Sequence, residues 1–299
     1  MKIKSRHVLI FLFVVLFGIN AYSQDSVAKP VSERISFMHN GVSREFILYK
    51  PNNLKDNAPL VFMLHGHKSS AEKIRAYSGM NPIADKNGFA VCYPQGLVDE
   101  NGFSYWNAEL INLPADDIGF LSELAKFIQK EYRLSKKNTF VCGMSNGGFM
   151  SYTLACAKPD VFKAIGSVCG TMSGITWNNR NKSKPIPILQ IHGTADKVVP
   201  IDGSMAIPGG WGGAPAMDSI IIYWATRDNC TTTDSTFFPQ NTKAYYHRNG
   251  TNGNEVWYYK IDGWGHVWPG ALSKDPNRVN NTGTTASSVL WTFFSRFLK

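Results

Sequence analysis

The sequence contains little cysteine and no cysteine pattern typical of a metal site. Its five cysteines form no C-x-x-C pair, so a structural zinc site is not expected. Three of them lie in apolar, strand-like runs and are predicted to be small core residues: Cys92, Cys142 and Cys169. The remaining pair, Cys156 and Cys230, is the candidate disulfide, although no spacing rule supports it.

Long apolar runs are missing after the N-terminal segment. Lys2, Lys4 and Arg6 precede an apolar run over residues 8–17, and small residues follow up to Ser23. This order predicts a signal peptide over residues 1–23. No later run reaches the roughly 20 apolar residues of a membrane helix. We therefore expect a secreted or periplasmic mature chain, residues 24–299, with no membrane span.

Clustered positive charge is also missing, although the formal net charge is +9. Without the three cations of the predicted signal, 28 basic and 22 acidic side chains remain, a net charge of +6. Lysine and arginine form no run and accompany no groove-binding motif, which argues against nucleic acid as a partner. The 299 residues are 43% hydrophobic and 18% charged, a balance that excludes a disordered chain.

Strand-like and helix-like patterns alternate along the chain, and no internal repeat is present. Asn40-Gly41, between two alternating runs at 34–39 and 43–50, is a strong hairpin signal. Further strands are expected at 60–64, 89–93, 139–142, 164–169, 186–191, 244–248 and 255–261, and helices at 71–87, 116–132, 148–157, 217–227 and 287–298. This order predicts one α/β domain over residues 24–299, with a mostly parallel sheet and helices on both faces.

The strand at 139–142 leads into Gly143-Met144-Ser145-Asn146-Gly147 and then into a helix. This is the G-x-S-x-G pattern in the strand–turn–helix setting of a nucleophile elbow. The turn is so sharp that side chains two positions from the serine would collide, which explains the two glycines. An ordinary glycine-rich turn is the alternative. The pattern predicts Ser145 as a nucleophile.

A serine nucleophile needs a base, and the base needs an orienting carboxylate. In folds with this elbow, the acid follows the serine and the histidine comes last. Asp196 lies directly after the predicted strand at 186–191, where the acid is expected. Asp202 and Asp218 are rivals, but they lie farther from a strand end and are interpreted as loop or helix-cap carboxylates.

Two histidines follow the predicted acid. His247 lies within a strand pattern, whereas His266 lies in a glycine-rich loop after the last predicted strand. A loop at that place suits a base that must reach the serine. The predicted catalytic triad is therefore Ser145, Asp196 and His266.

The oxyanion that forms during acyl transfer needs backbone donors. The N–H of Asn146 directly follows the nucleophile, and the N–H of His67 lies in the loop after the strand at 60–64. Both are predicted to form the oxyanion hole. His65-Gly66-His67 suggests a metal pair instead, but no third ligand has a fitting spacing. Neither a metal nor a cofactor is expected.

Several tryptophans lie in loops expected at the carboxyl ends of the strands, where sites form in such sheets. Aromatic faces bind sugar rings and phenolic groups, so four are candidate substrate-binding residues: Trp106, Trp211, Trp264 and Trp268. The alternative for each ring is that it fills space beneath a loop. Trp211, between two pairs of glycines, is expected to be the most exposed.

Seven short segments follow one another along most of the mature chain: His65-Gly66, Tyr93-Pro94-Gln95-Gly96, Trp106-Asn107, Asp116-Asp117, Gly143-Met144-Ser145-Asn146-Gly147-Gly148, His192-Gly193-Thr194-Ala195-Asp196 with Pro200, and Gly265-His266-Val267-Trp268-Pro269-Gly270. Together they resemble the secreted poly(3-hydroxybutyrate) depolymerase and feruloyl esterase family of α/β-hydrolases, similar to carbohydrate esterase family 1. The resemblance aligns Ser145, Asp196 and His266 with that family's nucleophile, acid and base.

The resemblance implies a serine carboxylic-ester hydrolase that works through an acyl-enzyme. The short stretch 171–185 between two predicted strands leaves no room for a large cap domain, and an open site suits a bulky or polymer-attached ester. We expect removal of feruloyl or acetyl groups from plant cell-wall polysaccharide. A polyester depolymerase is the alternative, and a non-catalytic carbohydrate-binding protein is a remote one. The oligomeric state is not predicted.

Overall fold

A ten-stranded sheet lies at the centre of the described part of the chain, residues 31–52, 54–271 and 282–299 of a computed structural model. The predicted signal peptide, residues 1–23, lies outside the described residues. In chain order the elements are β1 (Val31–His39), β2 (Val42–Lys50), β3 (Leu60–Leu64), α1 (Ala71–Ser78), α2 (Met80–Asn87), β4 (Ala90–Pro94), β5 (Leu97–Val98), β6 (Ser104–Tyr105), α3 (Asp117–Glu131), β7 (Thr139–Met144), α4 (Asn146–Ala157), β8 (Ile165–Val168), α5 (Gly174–Asn179), β9 (Ile188–Gly193), α6 (Met217–Arg227), β10 (Thr232–Phe238), β11 (Thr242–Arg248), β12 (Val256–Ile261) and α7 (Ala286–Ser295).

The middle of the sheet is parallel, as predicted. Six strands run in the order β4-β3-β7-β8-β9-β12 with parallel pairing between all neighbours. β1 and β2 extend one side antiparallel, and β11 and β10 extend the other. Because parallel strands share one carboxyl edge, the loops after β3, β7, β8, β9 and β12 meet there.

Helices cover both faces of the sheet. In β3, Leu60, Phe62 and Leu64 join a core cluster with α3, α4 and α6, whereas Val61 and Met63 join a second cluster with α1, α2 and α7. All five side chains are fully buried, as a continuous apolar run predicts for a central parallel strand. Between β8 and β9, residues 169–187 form α5, a short 3-10 turn and irregular connections. Among the described residues, no helix is both long and apolar enough to cross a membrane.

Some local predictions differ from the structure. The predicted hairpin turn is present, with left-handed φ angles of 49° at Asn40 and 78° at Gly41. The predicted helix at 71–87 is two helices, because Gly79 adopts a left-handed φ of 63° and ends α1. The edge strand β10 was not predicted, because its first five residues are polar and exposed and so give no apolar period.

The predicted Cys156–Cys230 disulfide is wrong, because all five cysteines are free thiols. Both residues are half-buried and pack as apolar groups against the same core cluster. Burial raises the pKa of Cys156 to about 12 and that of Cys230 to about 11, so both thiols stay protonated and unreactive. The other three, Cys92, Cys142 and Cys169, are buried core residues, as predicted.

The acidic pair before α3 has two roles rather than one. Asp116 caps the helix by accepting a hydrogen bond from the N–H of Gly119 at 2.8 Å. Asp117 is buried and forms an ion pair with Arg44 at 2.7 Å. Its second oxygen accepts from the N–H of Asn107 at 2.7 Å. Asp117 therefore fixes the loop that carries the Trp106-Asn107 segment.

Asp228, directly after α6, is a buried carboxyl group whose raised pKa predicts a stability that depends on pH. Burial raises its pKa to about 7, although the N–H of Ile186 donates to its Oδ1 at 2.8 Å. An unfolded aspartate releases its proton near pH 4, so between about pH 4 and pH 7 the unfolded state binds fewer protons than the native state. The free energy of unfolding should therefore fall as the pH rises through this window, and level off above it.

We expect Asp228→Asn to remove the fall in unfolding free energy with rising pH, because asparagine keeps the acceptor for the N–H of Ile186 but does not ionise. Relative to wild type, the variant should gain on the order of 1–3 kcal/mol of unfolding free energy between pH 5 and pH 8. Urea unfolding at both pH values measures it. Asp218→Asn, which changes an exposed carboxylate, is the control and should follow wild type. Identical pH dependence in Asp228→Asn and wild type would contradict the prediction.

Candidate active site

Ser145 lies at a strained turn between β7 and α4. Its φ of 52° and ψ of −120° place it in a region that few residues other than glycine adopt. The turn is fixed by a hydrogen bond of 2.9 Å from the N–H of Ser145 to the carbonyl of Val168. A Cβ at Gly143 would lie 2.5 Å from the carbonyl carbon of Gly147, and a Cβ at Gly147 would lie 2.5 Å from the carbonyl oxygen of Leu64. Close backbone approach therefore requires glycine at both positions.

His266 and Asp196 form a close pair, with 2.7 Å between Nδ1 of the histidine and Oδ2 of the aspartate. Asp196 follows β9 and His266 follows β12, and these strands are parallel neighbours. The carboxylate is fully buried, whereas 19% of the imidazole is exposed. Since Nδ1–H donates to the carboxylate, Nε2 of the neutral imidazole is free to accept a proton.

Four N–H groups converge on the carboxylate of Asp196. Oδ1 accepts from the backbone N–H groups of Val198 at 2.9 Å and Val199 at 2.8 Å. Oδ2 faces His266 and also lies 3.2 Å from Nε2 of His192. Burial alone would raise the pKa of Asp196, but hydrogen bonds from His192, His266 and Val199 hold it well below its usual range. The acid therefore stays ionised even at acidic pH.

Ser145 and His266 line the same cavity, which has a volume of about 690 Å³. The volume is within the range that encloses a drug-sized ligand. The rest of the wall comes from the loop after β3, from α1 and from the end of β7: Gly66, His67, Ser69, Lys73, Ile74, Ala76, Tyr77 and Met144. Carbon-rich side chains dominate this wall, so it suits an apolar group next to the serine.

The two residues predicted to supply the oxyanion hole, Asn146 and His67, both lie near the serine. Asn146 is the first residue of α4, where N–H groups have no partner within the helix. Its buried side chain holds the backbone of Trp106, accepting from its N–H at 2.6 Å and donating to its carbonyl at 2.9 Å. His67 lies on the cavity wall. The preceding Gly66 is so near that an added Cβ would lie 3.4 Å from the Cβ of Ser145.

Two of the four candidate tryptophans cannot stack on a substrate. Trp106 and Trp268 are fully buried, so this prediction is wrong for both. Trp106 donates its Nε1–H to the carbonyl of His65 at 2.9 Å and thereby fixes the start of the loop that carries His67. Trp268 packs in the core cluster beneath the loop of His266. For these two rings, filling space under a loop is the correct interpretation.

The other two tryptophans are half-buried. Trp264 donates its Nε1–H to the carbonyl of Val267 at 2.9 Å, and this bond shapes the loop that carries His266. Trp211 packs against Phe149, with 5.4 Å between ring centroids, and against His67, at 5.7 Å. It is therefore less exposed than its flanking glycines suggest, but it remains beside the cavity wall. Neither Trp211 nor Trp264 lines the cavity, so a contact of either ring with substrate stays a prediction.

One cluster among the described residues could hold a metal ion: ligand atoms of Cys169, Asp196 and His266 lie within 4.8 Å of one another. Asp196 and His266, however, use such atoms to bind each other. Burial also raises the pKa of Cys169 well above its usual range. A metal would have to break that hydrogen bond and displace the thiol proton.

His65, one of the two histidines considered as a metal pair, has no free ring nitrogen. Nδ1 of His65 lies 2.8 Å from the carbonyl of Gly66, and its Nε2 accepts from the N–H of Gly96 at 3.0 Å. Burial lowers the pKa of His65 to about 4, so the ring is neutral. Both nitrogens have partners within the chain, which leaves none to share a metal with His67.

Sequence reasoning missed two groups of residues at this site. One group is the side of α1 that lines the cavity, with Lys73, Ala76 and Tyr77. The sequence did not indicate this side, because the apolar period of α1 marks only the side that faces the sheet. His192 was also missed, because its strand reads as core. Its spacing of four residues before Asp196 is the signal that could have found it.

A parallel sheet with a serine at a strand–turn–helix elbow, and with an acid–histidine pair after later strands, defines an α/β-hydrolase. The chain belongs to the family of esterase PHB depolymerases, whose family model matches residues 44–250. The matched range contains Ser145 and Asp196 and ends before His266.

Curated relatives of this chain carry esterase names. A bifunctional acetylxylan esterase/xylanase of Neocallimastix patriciarum is 28% identical over 159 residues, covering 53% of this chain and 22% of that protein. A protein of Aspergillus oryzae named probable feruloyl esterase C is 31% identical over 181 residues, covering 58% of this chain and 62% of that protein. The chain thus spans less than two thirds of either relative.

Solved structures share the fold. An acetyl xylan esterase from Aspergillus awamori superposes with a TM-score of 0.65 and covers 90% of this chain and 100% of its own. The sequences of the two are 16% identical. At that identity the likeness concerns the fold alone.

Proposed function

We propose that this protein is a secreted serine carboxylic-ester hydrolase with Ser145 as nucleophile, His266 as base and Asp196 as acid. The observation that carries the proposal is the 2.7 Å bond between His266 and Asp196, with His266 and Ser145 on the wall of one cavity. The strained backbone of Ser145 adds support, since such strain concentrates at functional sites.

In the proposed reaction, Oγ of Ser145 attacks the ester carbonyl while Nε2 of His266 takes the hydroxyl proton. Asp196 stabilises the resulting imidazolium. The N–H groups of Asn146 and His67 donate to the carbonyl oxygen as it gains negative charge. His266 then gives the proton to the leaving alcohol, which leaves an acyl-enzyme. Water, activated by the same imidazole, hydrolyses that ester and restores the serine.

For the substrate, we propose feruloyl or acetyl esters of plant cell-wall polysaccharide. Relatives named for feruloyl and acetylxylan esters support this class. A cavity of about 690 Å³ is far larger than an acetyl group needs, so its size favours the bulkier hydroxycinnamoyl group. A polyester depolymerase is the second candidate, and the description of the matching family supports it.

The test is an assay of residues 24–299 on methyl ferulate, acetylated xylan and polyhydroxybutyrate film. Release of ferulate or acetate supports the proposed class. Clearing of the film without action on the other two would favour the depolymerase. Absence of turnover on all three, combined with binding to xylan, would favour a non-catalytic carbohydrate-binding protein.

If the acyl group occupies the cavity, a substitution that narrows the cavity should lower kcat/KM more for an ester with a large acyl group than for one with a small acyl group. Ala76 lies on the cavity wall, and Ala76→Trp would fill part of the space. We expect kcat/KM for methyl ferulate to fall by about tenfold or more, and that for 4-nitrophenyl acetate to change by less than about threefold. Ala157→Trp, at an exposed position outside this wall, is the matched control. Equal losses on both esters would mean that the acyl group does not occupy the cavity.

A further inference from the structure

A chain of buried hydrogen bonds leads from α4 toward the acid. The hydroxyl of Tyr152 donates to Oε1 of Gln190 at 2.9 Å. Nε2 of Gln190 lies 2.9 Å from the carbonyl oxygen of Gly170 and 2.9 Å from Nδ1 of His192. All three side chains, Tyr152, Gln190 and His192, are fully buried.

The partners at each end fix the direction of every bond in this chain. The carbonyl of Gly170 can only accept, so the amide NH₂ of Gln190 must face it. Burial raises the pKa of Tyr152 well above its usual range, so its hydroxyl remains a donor. The same NH₂ group faces Nδ1 of His192, which must therefore accept. His192 is thus a neutral imidazole with its proton on Nε2.

That single proton points to the acid and its loop. Nε2 of His192 lies 2.8 Å from the carbonyl oxygen of Val199 and 3.2 Å from Oδ2 of Asp196. The N–H of Val199 in turn donates to Oδ1 of the same carboxylate at 2.8 Å. Oδ2 therefore faces two histidines, His192 within the fold and His266 at the cavity.

We propose that His192 is a positioning residue, whose Nε2–H, directed by Gln190 and Tyr152, holds the carboxylate of Asp196 in line with His266. The inference rests on the proposed triad. His192 is fully buried and absent from the cavity wall, so it acts through the acid and not on substrate. Tyr152 belongs to α4, which starts directly after Ser145. This series of hydrogen bonds therefore also connects the helix that follows the nucleophile to the loop that carries the acid.

Two amide substitutions separate positioning from simple core packing. The Nε2 of a glutamine overlaps the place of the imidazole Nε2, so His192→Gln keeps a donor for Asp196. The shorter asparagine amide reaches only the place of Nδ1, so His192→Asn loses that donor. Both variants bury one neutral amide at a position that held an imidazole. Because asparagine is one methylene shorter, a role in packing alone would lower the stability of that variant more than that of the glutamine variant, but it would not change the hydrogen bond between His266 and Asp196.

We expect His192→Asn to lower kcat by about 10-fold to 100-fold with KM changed by less than about twofold. His192→Gln should keep kcat within about threefold of wild type. Proton NMR should show the strongly deshielded resonance of the His266–Asp196 hydrogen bond in wild type and His192→Gln. In His192→Asn it should be lost or moved upfield. Asp196→Asn provides the spectrum without that bond.

Assays are made at a temperature at which circular dichroism shows each variant to be folded. If His192→Asn does not fold, Gln190→Met replaces it, since it removes the donor that sets the His192 tautomer. It should lower kcat at least about threefold with KM unchanged. Equal kcat in both amide variants, or a resonance unchanged in His192→Asn, overturns the inference. Failure of the triad itself is separate, because it would appear as turnover by Ser145→Ala.

Discussion

Replacing Ser145 with alanine should lower kcat/KM by about 10⁴-fold or more on every ester that the protein cleaves. The variant lacks the oxygen that would form the acyl-enzyme, so only binding and the proposed oxyanion donors remain. Alanine carries the same Cβ as serine, so it meets the same steric cost at a φ of 52°. The fold should therefore be kept, and the loss should come from chemistry.

Ser151→Ala is the matched control for this experiment. Ser151 lies on the same helix, and its hydroxyl donates to the carbonyl of Gly147 at 2.9 Å without lining the cavity. It should keep kcat/KM within about threefold of wild type. Melting temperatures of both variants check that they are folded. If purified Ser145→Ala kept a tenth of wild-type turnover, Ser145 would not be the nucleophile.

Asp196→Asn should lower kcat by about 10⁴-fold at neutral pH, through the tautomer of His266. The N–H groups of Val198 and Val199 both donate to one oxygen of residue 196, so the amide oxygen of asparagine should take that place. Its NH₂ would then face Nδ1 of His266. A donor there forces the proton of His266 onto Nε2, where it can no longer accept a proton from Ser145.

The matched control is Asp202→Asn, at the rival carboxylate. Oδ1 of Asp202 accepts from the N–H of Ser204 at 2.9 Å in an exposed loop, so this variant should keep kcat within about threefold of wild type. Steady-state kinetics of both variants on one ester make the comparison. Comparable losses at the two positions would contradict the assignment of Asp196 as the acid.

Where local backbone geometry decides the outcome, the predictions from sequence hold, except for the break between α1 and α2 at Gly79. The Asn40-Gly41 turn, the close approach of Gly143 to Gly147 and the buried strand β3 all depend on contacts between residues close in sequence or on a continuous apolar run. Such features need no knowledge of distant partners. The same reasoning identified the sheet, since parallel strands connected by helices follow from the order of the apolar patterns.

Two of the predictions that failed depend on distant partners. Trp106 was expected to face a substrate, but it is buried because Asn146 and His65 bind it from other segments. The candidate disulfide failed in the same way, since sequence spacing does not decide where Cys156 and Cys230 pack.

The sequence by itself determined the class of fold, the elbow around Ser145 and the order of acid and histidine along the chain, because each rests on local patterns. The tertiary structure alone decided that His266 meets Asp196, that α1 lines the cavity and that His192 lies behind the acid. The physical reason is the parallel sheet. It makes β9 and β12 neighbours although many residues separate them, and only that neighbourhood brings their loops within hydrogen-bond distance.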